Sequence, residues 1–288
     1  MSALIKRNFL LYFRNRSGVI LSLLGALIPF VLYLVFLRNN MSGDWAASSH
    51  ATEMLDFWLM SGVLAVTGLT TTLSAFSRQV EDRERRVTDD LFITDLGQWG
   101  LQLSYLISSL IISFVMQVIM FVVMLTYFML AEKISFDWGL FPQLALLILA
   151  NSLLASLLNA LLVRFFKSLD SLGRFDTVMG AASGFLVGTY MPIGVLPDLA
   201  QTIMKLTPFT YMASLFRQIL MKGALAEVFA GKTQLRPEFE KLMGIRLDWQ
   251  GLLTSQKTFY IVGVVILAAA LLWLGQNLLM NKPSSARI

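Results

Sequence analysis

Six stretches of this 288-residue chain, at about 17–37, 57–77, 101–131, 140–163, 177–197 and 258–280, contain no Asp, Glu, Lys, Arg or His. A charge-free apolar run of ~20 residues crosses the ~30 Å hydrocarbon core of a bilayer as a helix, which satisfies its own backbone. Composition agrees: 56% of residues are hydrophobic and 14% charged, against roughly 25% charged in soluble domains. Disorder is excluded too, because it needs low hydrophobicity and high net charge. The stretch 101–131 rises ~1.5 Å per residue and outruns the core, so it tilts or projects. The expected fold is an all-α integral membrane protein, a single six-span domain over 1–280 with a cytoplasmic tail at 281–288.

Short-loop cations set the orientation. Lys6, Arg7, Arg14, Arg16, Arg78, Arg83, Arg85, Arg86, Arg164, Lys167, Arg174, Lys282 and Arg287 fall on one side, and only Arg38 and Lys133 occupy the short loops opposite. Both termini are therefore expected in the cytoplasm, with the chain in the cell membrane, most simply a bacterial cytoplasmic membrane. The formal charge of +5 then records topology and gives no reason to expect nucleic acid. With no cysteine and a single histidine, His50, thiolate zinc sites, cysteine nucleophiles and histidine metal clusters are excluded. The first apolar run is too long for a signal-peptide core and reads as a retained span.

Before the first span, residues 1–16 form an interfacial helix on the wheel. Leu4, Ile5, Phe9, Tyr12 and Phe13 cover one half and Lys6, Arg7 and Arg14 the other, which suits apolar burial beside anionic membrane lipid. The connection 78–100 carries both signs of charge. Glu81 with Arg85, and Asp82 with Arg86, are spaced as ion pairs on a helical extension of the second span. Thr88 is expected to cap a short helix with Asp89 and Asp90 in its first turn. Leu91, Phe92, Ile93 and Leu96 then need a surface, which is either the headgroup layer or another protein.

Ion-coupled carriers usually hold an ionisable group within the membrane, and here Glu53 and Asp176 lie only at span edges. Neutral polar residues do occur. Asn151, Ser152, Ser156 and Asn159 line the fourth span, Gln117 the third, and Thr67, Thr70, Thr71, Thr72 and Ser74 the second. They read either as helix–helix hydrogen bonds, about 0.6 kcal/mol each, or as pathway lining, for which Thr67, Thr70, Thr71, Gln117, Asn151 and Asn159 are the candidates. Gly180, Gly184 and Gly188 form a flat stripe for close helix packing, within the chain or across a dimer. The segment Ala230 to Thr233 (AGKT) resembles the end of a phosphate-binding loop, but Ala226 stands where its first glycine belongs.

The fifth span is broken at Pro192 and Pro197. Leu199 to Leu206 is too short to cross, and Pro208 can start a further helix over 209–221. The stretch 198–257 is thus expected to hold a re-entrant external hairpin, followed by a small external elaboration.

Together these features resemble the membrane subunit of type-2 ABC transporters, the exporter permeases. The resemblance covers nearly the whole chain. Its most specific part is the run from Tyr190 to Pro197 (YMPIGVLP), then Leu206 to Tyr211 (LTPFTY), including Pro208, and Arg217. It implies that residues 81–96 are a coupling helix that docks on a cytosolic ATPase. Glu81, Glu84, Arg85, Arg86, Thr88, Asp89, Leu91 and Phe92 are the residues expected to carry that contact. Val87 and Asp95 depart from the glycine and proline common in the family. The implied complex has two ATPase subunits that bind ATP and Mg, and a second permease, as homodimer or related heterodimer. This chain would bind no cofactor or metal and catalyse nothing. A hydrophobic or amphipathic cargo, a drug-like compound or antimicrobial peptide, suits spans rich in Phe and Met. Export of a lipid or lipid-linked glycan, or sodium-coupled transport, is the alternative.

Overall fold

The computed structural model describes residues 1–37, 51–92, 96–231 and 234–280. Arg38, His50, Ile93, Asp95, Lys232, Thr233, Lys282, Arg287 and the tail 281–288 lie outside the described residues, which are helical apart from turns and one isolated bridge between Asp248 and Leu252. In chain order the helices are α1 (Ser2–Arg14), α2 (Arg16–Leu32, continued by a π-turn at Tyr33–Leu37), α3 (Ala51–Glu84), α4 (Val87–Phe92), α5 (Gly97–Glu132) and α6 (Phe141–Leu162). Then come α7 (Leu169–Leu186), α8 (Asp198–Leu206), α9 (Pro208–Leu220), α10 (Lys222–Val228), α11 (Arg236–Leu242) and α12 (Ser255–Met280).

Five helical segments are long and apolar enough to cross a membrane: Arg16–Val35, Thr52–Glu84, Gly97–Glu132, Trp138–Phe165 and Ser255–Leu278. The sixth expected crossing, at 177–197, is not among them. Its helix, α7, starts eight residues earlier, carries Asp170, Arg174 and Asp176, and stops at Leu186. Asp176 therefore lies inside a helix and not at its edge. Nor do the prolines end α7. Gly188 does, at φ 68°, a left-handed conformation that costs glycine little. The Thr189 N–H, just beyond, donates back to the Gly184 carbonyl at 2.7 Å.

Helix α3 is the axis of the bundle. It packs against α2, α5, α6, α7 and α9, and 89% of its most apolar window is buried. Its composition explains how a helix rich in hydroxyls can sit there. Thr67, Thr71 and Thr72 donate to the carbonyls of Val63, Thr67 and Gly68 at 2.7, 2.6 and 2.8 Å, so each hydroxyl is satisfied on its own helix. Glycines bring the neighbours in: a Cβ on Gly68 would meet the Asn151 amide nitrogen at 2.3 Å.

The helix also begins earlier than the apolar run. Asp56, one residue before the expected span, is fully buried and accepts the Tyr33 hydroxyl at 2.7 Å.

Candidate functional site

At the end of α3 the backbone turns at Arg86, which takes a left-handed φ of 59°. That conformation is uncommon for a residue with a side chain. The sequence gives this turn no glycine. Helix α4 starts immediately, so Thr88 is its second residue and not its cap. Asp89 and Asp90 occupy the first turn, where carboxylates oppose the positive end of the helix dipole. Glu84, Arg85, Arg86, Asp89, Asp90 and Phe92 are exposed, whereas Glu81, Thr88 and Leu91 are half-buried. Leu91 packs with Leu96 and Trp99 against a core cluster centred on Phe76, Val80 and Tyr105. Phe92, at 43% exposure, presents its ring outward.

The root of α4 is a buried ion cluster. Glu81 pairs with Arg85 at 3.0 Å as its spacing predicts. Asp82 does not pair with Arg86, because the chain has left the helix there and the i+4 position no longer shares its face. Asp82 turns inward with no exposed surface. It accepts both terminal nitrogens of Arg7 at 2.7 and 2.8 Å, Arg78 at 2.8 Å and the Tyr105 hydroxyl at 2.6 Å. One carboxylate thus ties α1, α3 and α5 together with charge-assisted bonds, the strong class. Donating to the Asp82 carboxylate raises the Arg7 pKa above the ordinary arginine value. Arg7 therefore faces α3 and not the headgroup layer expected of it, and Leu4 and Asn8 are the buried residues of α1.

Further bonds extend the cluster. Gln79 donates to Gln102 at 2.8 Å. Arg83 reaches the carbonyls of Arg164 and Phe166, beyond α6. Glu84 accepts the Leu169 N–H at 2.9 Å, at the start of α7, and Arg164 donates to Asn277 of α12 at 2.6 Å. Helices α1, α5, α7 and α12, and the turn that follows α6, are bonded, directly or through one residue, to the end of α3 that carries α4.

The neutral polar residues lie deeper. Asn151 donates to Gln117 at 2.8 Å, Gln117 to Ser152 at 2.7 Å, and Asn159 to Thr72 at 2.6 Å. All six candidate lining residues, Thr67, Thr70, Thr71, Gln117, Asn151 and Asn159, are buried. Gln117, Asn151 and Asn159 bond helix to helix, whereas Thr67, Thr70 and Thr71 donate to carbonyls of α3 itself.

Each glycine of the stripe meets a different neighbour. Gly180 backs onto Gly25 of α2, and a Cβ on Gly184 would collide with the Tyr190 ring at 2.2 Å. Gly188 sits beside Met204 and Arg217.

At the opposite end of α3, α8 and α9 form two short helices around Thr207, with Pro208 opening the second. Thr210 donates to the carbonyls of Leu186 and Met204 at 2.8 and 2.6 Å, and Tyr211 accepts Trp249 at 2.9 Å. Pro192 and Pro197 flank a 3₁₀ turn at Ile193–Val195, between α7 and α8.

Sequence reasoning attached Arg217 only to a motif; the structure buries it almost completely, at 1% exposure. Its guanidinium lies 4.9 Å from the centre of the Trp58 ring. It donates to the carbonyls of Gly244, Val187 and Gly188 at 3.2, 3.3 and 2.7 Å. Trp58 in turn donates to the Met243 carbonyl at 2.7 Å. The described residues of 222–254 therefore close over the end of α3, and the half-buried Asp248 carboxylate meets the exposed Lys241 at 2.6 Å.

Comparison with protein families matches residues 1–221 to the ABC-2 type transporter. The chain belongs to the ABC-2 type transporter family. Neither curated proteins nor solved structures gave a match. The protein is a multi-pass membrane permease, and permeases of this family work with ABC ATPase subunits and are generally not catalytic themselves. Residues 222–288, which include α10, α11 and α12, lie outside the matched range of this ABC-2 permease.

Proposed function

We propose that this permease exports a hydrophobic or amphipathic compound, drug-like or an antimicrobial peptide, from the cell. Two cytosolic ATPase subunits drive it, and ATP with Mg binds there. A second permease, identical or related, completes the pathway. Crossing six times, with α7 as the fifth span and α8–α9 as the re-entrant hairpin, the chain keeps both termini in the cytoplasm. The observation that carries this reading is the placement of α4, a short helix with an exposed face whose root at Asp82 is bonded to α1, α3 and α5. An ATPase groove that receives Phe92, Leu91, Thr88 and Asp89 holds α4 as a handle. Movement of that handle shifts the ends of the spans, because α3 is central and its end is bonded to most of its neighbours.

The test is co-purification with the ATPase and cargo-stimulated ATP hydrolysis in reconstituted vesicles. Phe92→Asp should abolish the stimulation, about a hundredfold weaker docking for burying one unpaired charge, while membrane insertion stays normal. Transport driven by a sodium gradient without any ATPase would refute the reading. A lipid-linked glycan as the only cargo that stimulates hydrolysis would refute the cargo class and leave the mechanism standing.

A further inference from the structure

We infer that the outer flank of the bundle holds a binding site for one anionic phospholipid, such as phosphatidylglycerol. A cavity of about 670 Å³ opens between α6, α9, α10, α11 and the start of α12. That is within the usual 300–1,000 Å³ for small-molecule sites. Its chemistry is divided. Leu146, Leu215, Ile219 and Phe259 form an apolar wall, and the polar edge holds Lys222, Arg236, Arg246 and Glu240.

Those four charged residues leave an excess of two cations, and the hydrogen bonds show which two. Glu240 is 5% exposed and is held by Arg236 Nε at 2.7 Å and Arg246 Nη1 at 3.4 Å. Arg246 also donates from Nε and Nη2 to the carbonyls of Leu253 and Leu252 at 2.9 and 3.1 Å. Arg246 and Glu240 thus belong to the framework. The terminal nitrogens of Arg236 and the ammonium of Lys222 make no hydrogen bond among the described residues, and both line the cavity. Two cations with donors to spare beside an apolar wall suit an anion that carries a hydrocarbon chain.

The surroundings select a lipid over a soluble amphiphile. Leu146 and Phe259 are 62% and 43% exposed, and the apolar surface continues along the same two helices through Leu149 on α6 and Tyr260 and Val264 on α12. Both helices belong to segments apolar enough to cross a membrane, so the mouth of the cavity opens onto hydrocarbon. One acyl chain lies along Leu146 and Phe259, and the phosphate meets Arg236 and Lys222. Assignment to the outer leaflet rests on the cytoplasmic termini proposed above; lipid binding itself does not.

The experiment is native mass spectrometry of the full chain in mild detergent, titrated with phosphatidylglycerol, phosphatidylcholine or inorganic phosphate. The comparison variant is Lys222→Gln with Arg236→Gln, which leaves Glu240 paired with Arg246. The wild type should retain one phosphatidylglycerol in preference to phosphatidylcholine, and the double variant should lose ten- to thirtyfold of that affinity, about the worth of two cations near a surface. Retention of phosphatidylglycerol unchanged in the variant, equal retention of phosphatidylcholine, or equal binding of inorganic phosphate would each overturn the site. A photoreactive acyl chain gives a second readout independent of charge. It should label peptides containing Leu146 and Phe259, and Leu146→Trp, which fills the mouth, should suppress that label. Labelling spread evenly over all lipid-facing helices would overturn the proposal. A single cysteine at the exposed position Leu235 separates the two readings. Labelling from the cytoplasm would overturn the leaflet assignment, while absence of lipid selectivity in the wild type would overturn the site and leave the permease reading untouched.

Discussion

Replacing Asp82 with asparagine keeps the size of the side chain and removes the charge at the root of α4. The geometry sets what is lost. Arg7 Nη1 and the Tyr105 hydroxyl share Oδ2, and Arg7 Nη2 and Arg78 Nη2 share Oδ1. An amide offers one oxygen and one NH₂, so whichever way it lies, two donors face a donor. Breaking a buried ion pair costs about 3–5 kcal/mol. Arg7 and Arg78 remain 28% and 25% exposed, so water recovers part of that, and about 2 kcal/mol is the expected loss. At roughly 2–4 °C per kcal/mol for a chain somewhat shorter than this one, thermal unfolding of the purified protein should fall by about 4–8 °C. Tyr105→Phe removes one donor and should cost only about 1 kcal/mol. In reconstituted vesicles Asp82→Asn should uncouple cargo from ATP hydrolysis even below its melting point. The decisive comparison is the double-mutant cycle of Arg7→Met with Asp82→Asn. Residues in one charge network should couple by about 1–3 kcal/mol. Additive losses, or a melting point unchanged in Asp82→Asn, would refute the role given to this carboxylate.

Four other substitutions probe the packing. Arg217→Met leaves the carbonyls of Val187, Gly188 and Gly244 without their donor, and should cost about 2–4 kcal/mol and expose residues 222–254 to protease in intact vesicles. Gly25 and Gly180 touch but are not equivalent. A Cβ on Gly25 meets Thr70 at 2.9 Å and the Gly180 carbonyl at 3.1 Å, whereas one on Gly180 meets nothing closer than 4.0 Å. Gly25→Ala should therefore lower the melting point, by about 1–3 kcal/mol of overpacking, while Gly180→Ala melts like the wild type. Asn151→Leu strips Gln117 Oε1 of its donor and should destabilise the bundle by about 1 kcal/mol, with no change in cargo selectivity if the residue serves only to join α3, α5 and α6.

The five long apolar segments were legible in the sequence because exclusion of charge from hydrocarbon is a local rule, readable one stretch at a time. Helix α7 was not, since it mixes Asp170, Arg174 and Asp176 with an apolar second half, and its end depends on the conformation of Gly188. The acidic and basic residues before α4 were legible as a charged connection, but their partners were not. Spacing paired Asp82 with Arg86; one left-handed residue removed Arg86 from the helix and freed Asp82 for Arg7, distant by 75 positions. The polar stripe was readable as a choice between two roles, and the structure shows the hydrogen bonds that one of them requires. Asp56 and Arg217 were the least legible. Both are buried charges whose partners, Tyr33, Trp58 and three carbonyls, come from distant parts of the chain.

Arg217 also has a consequence for the order in which the protein is made. Three of its contacts, Trp58, Val187 and Gly188, precede it in the chain, and the fourth, Gly244, follows it. A guanidinium with no carboxylate partner among the described residues is costly in an apolar environment until its carbonyls are in place. The pair α8–α9 should therefore seat fully only once residue 244 has emerged and folded back. Chains arrested before Gly244 should carry α9 in a protease-sensitive form, and chains arrested beyond Leu253 should not. On that outcome the short segment after the hairpin, outside the family match, is the latch that completes biogenesis.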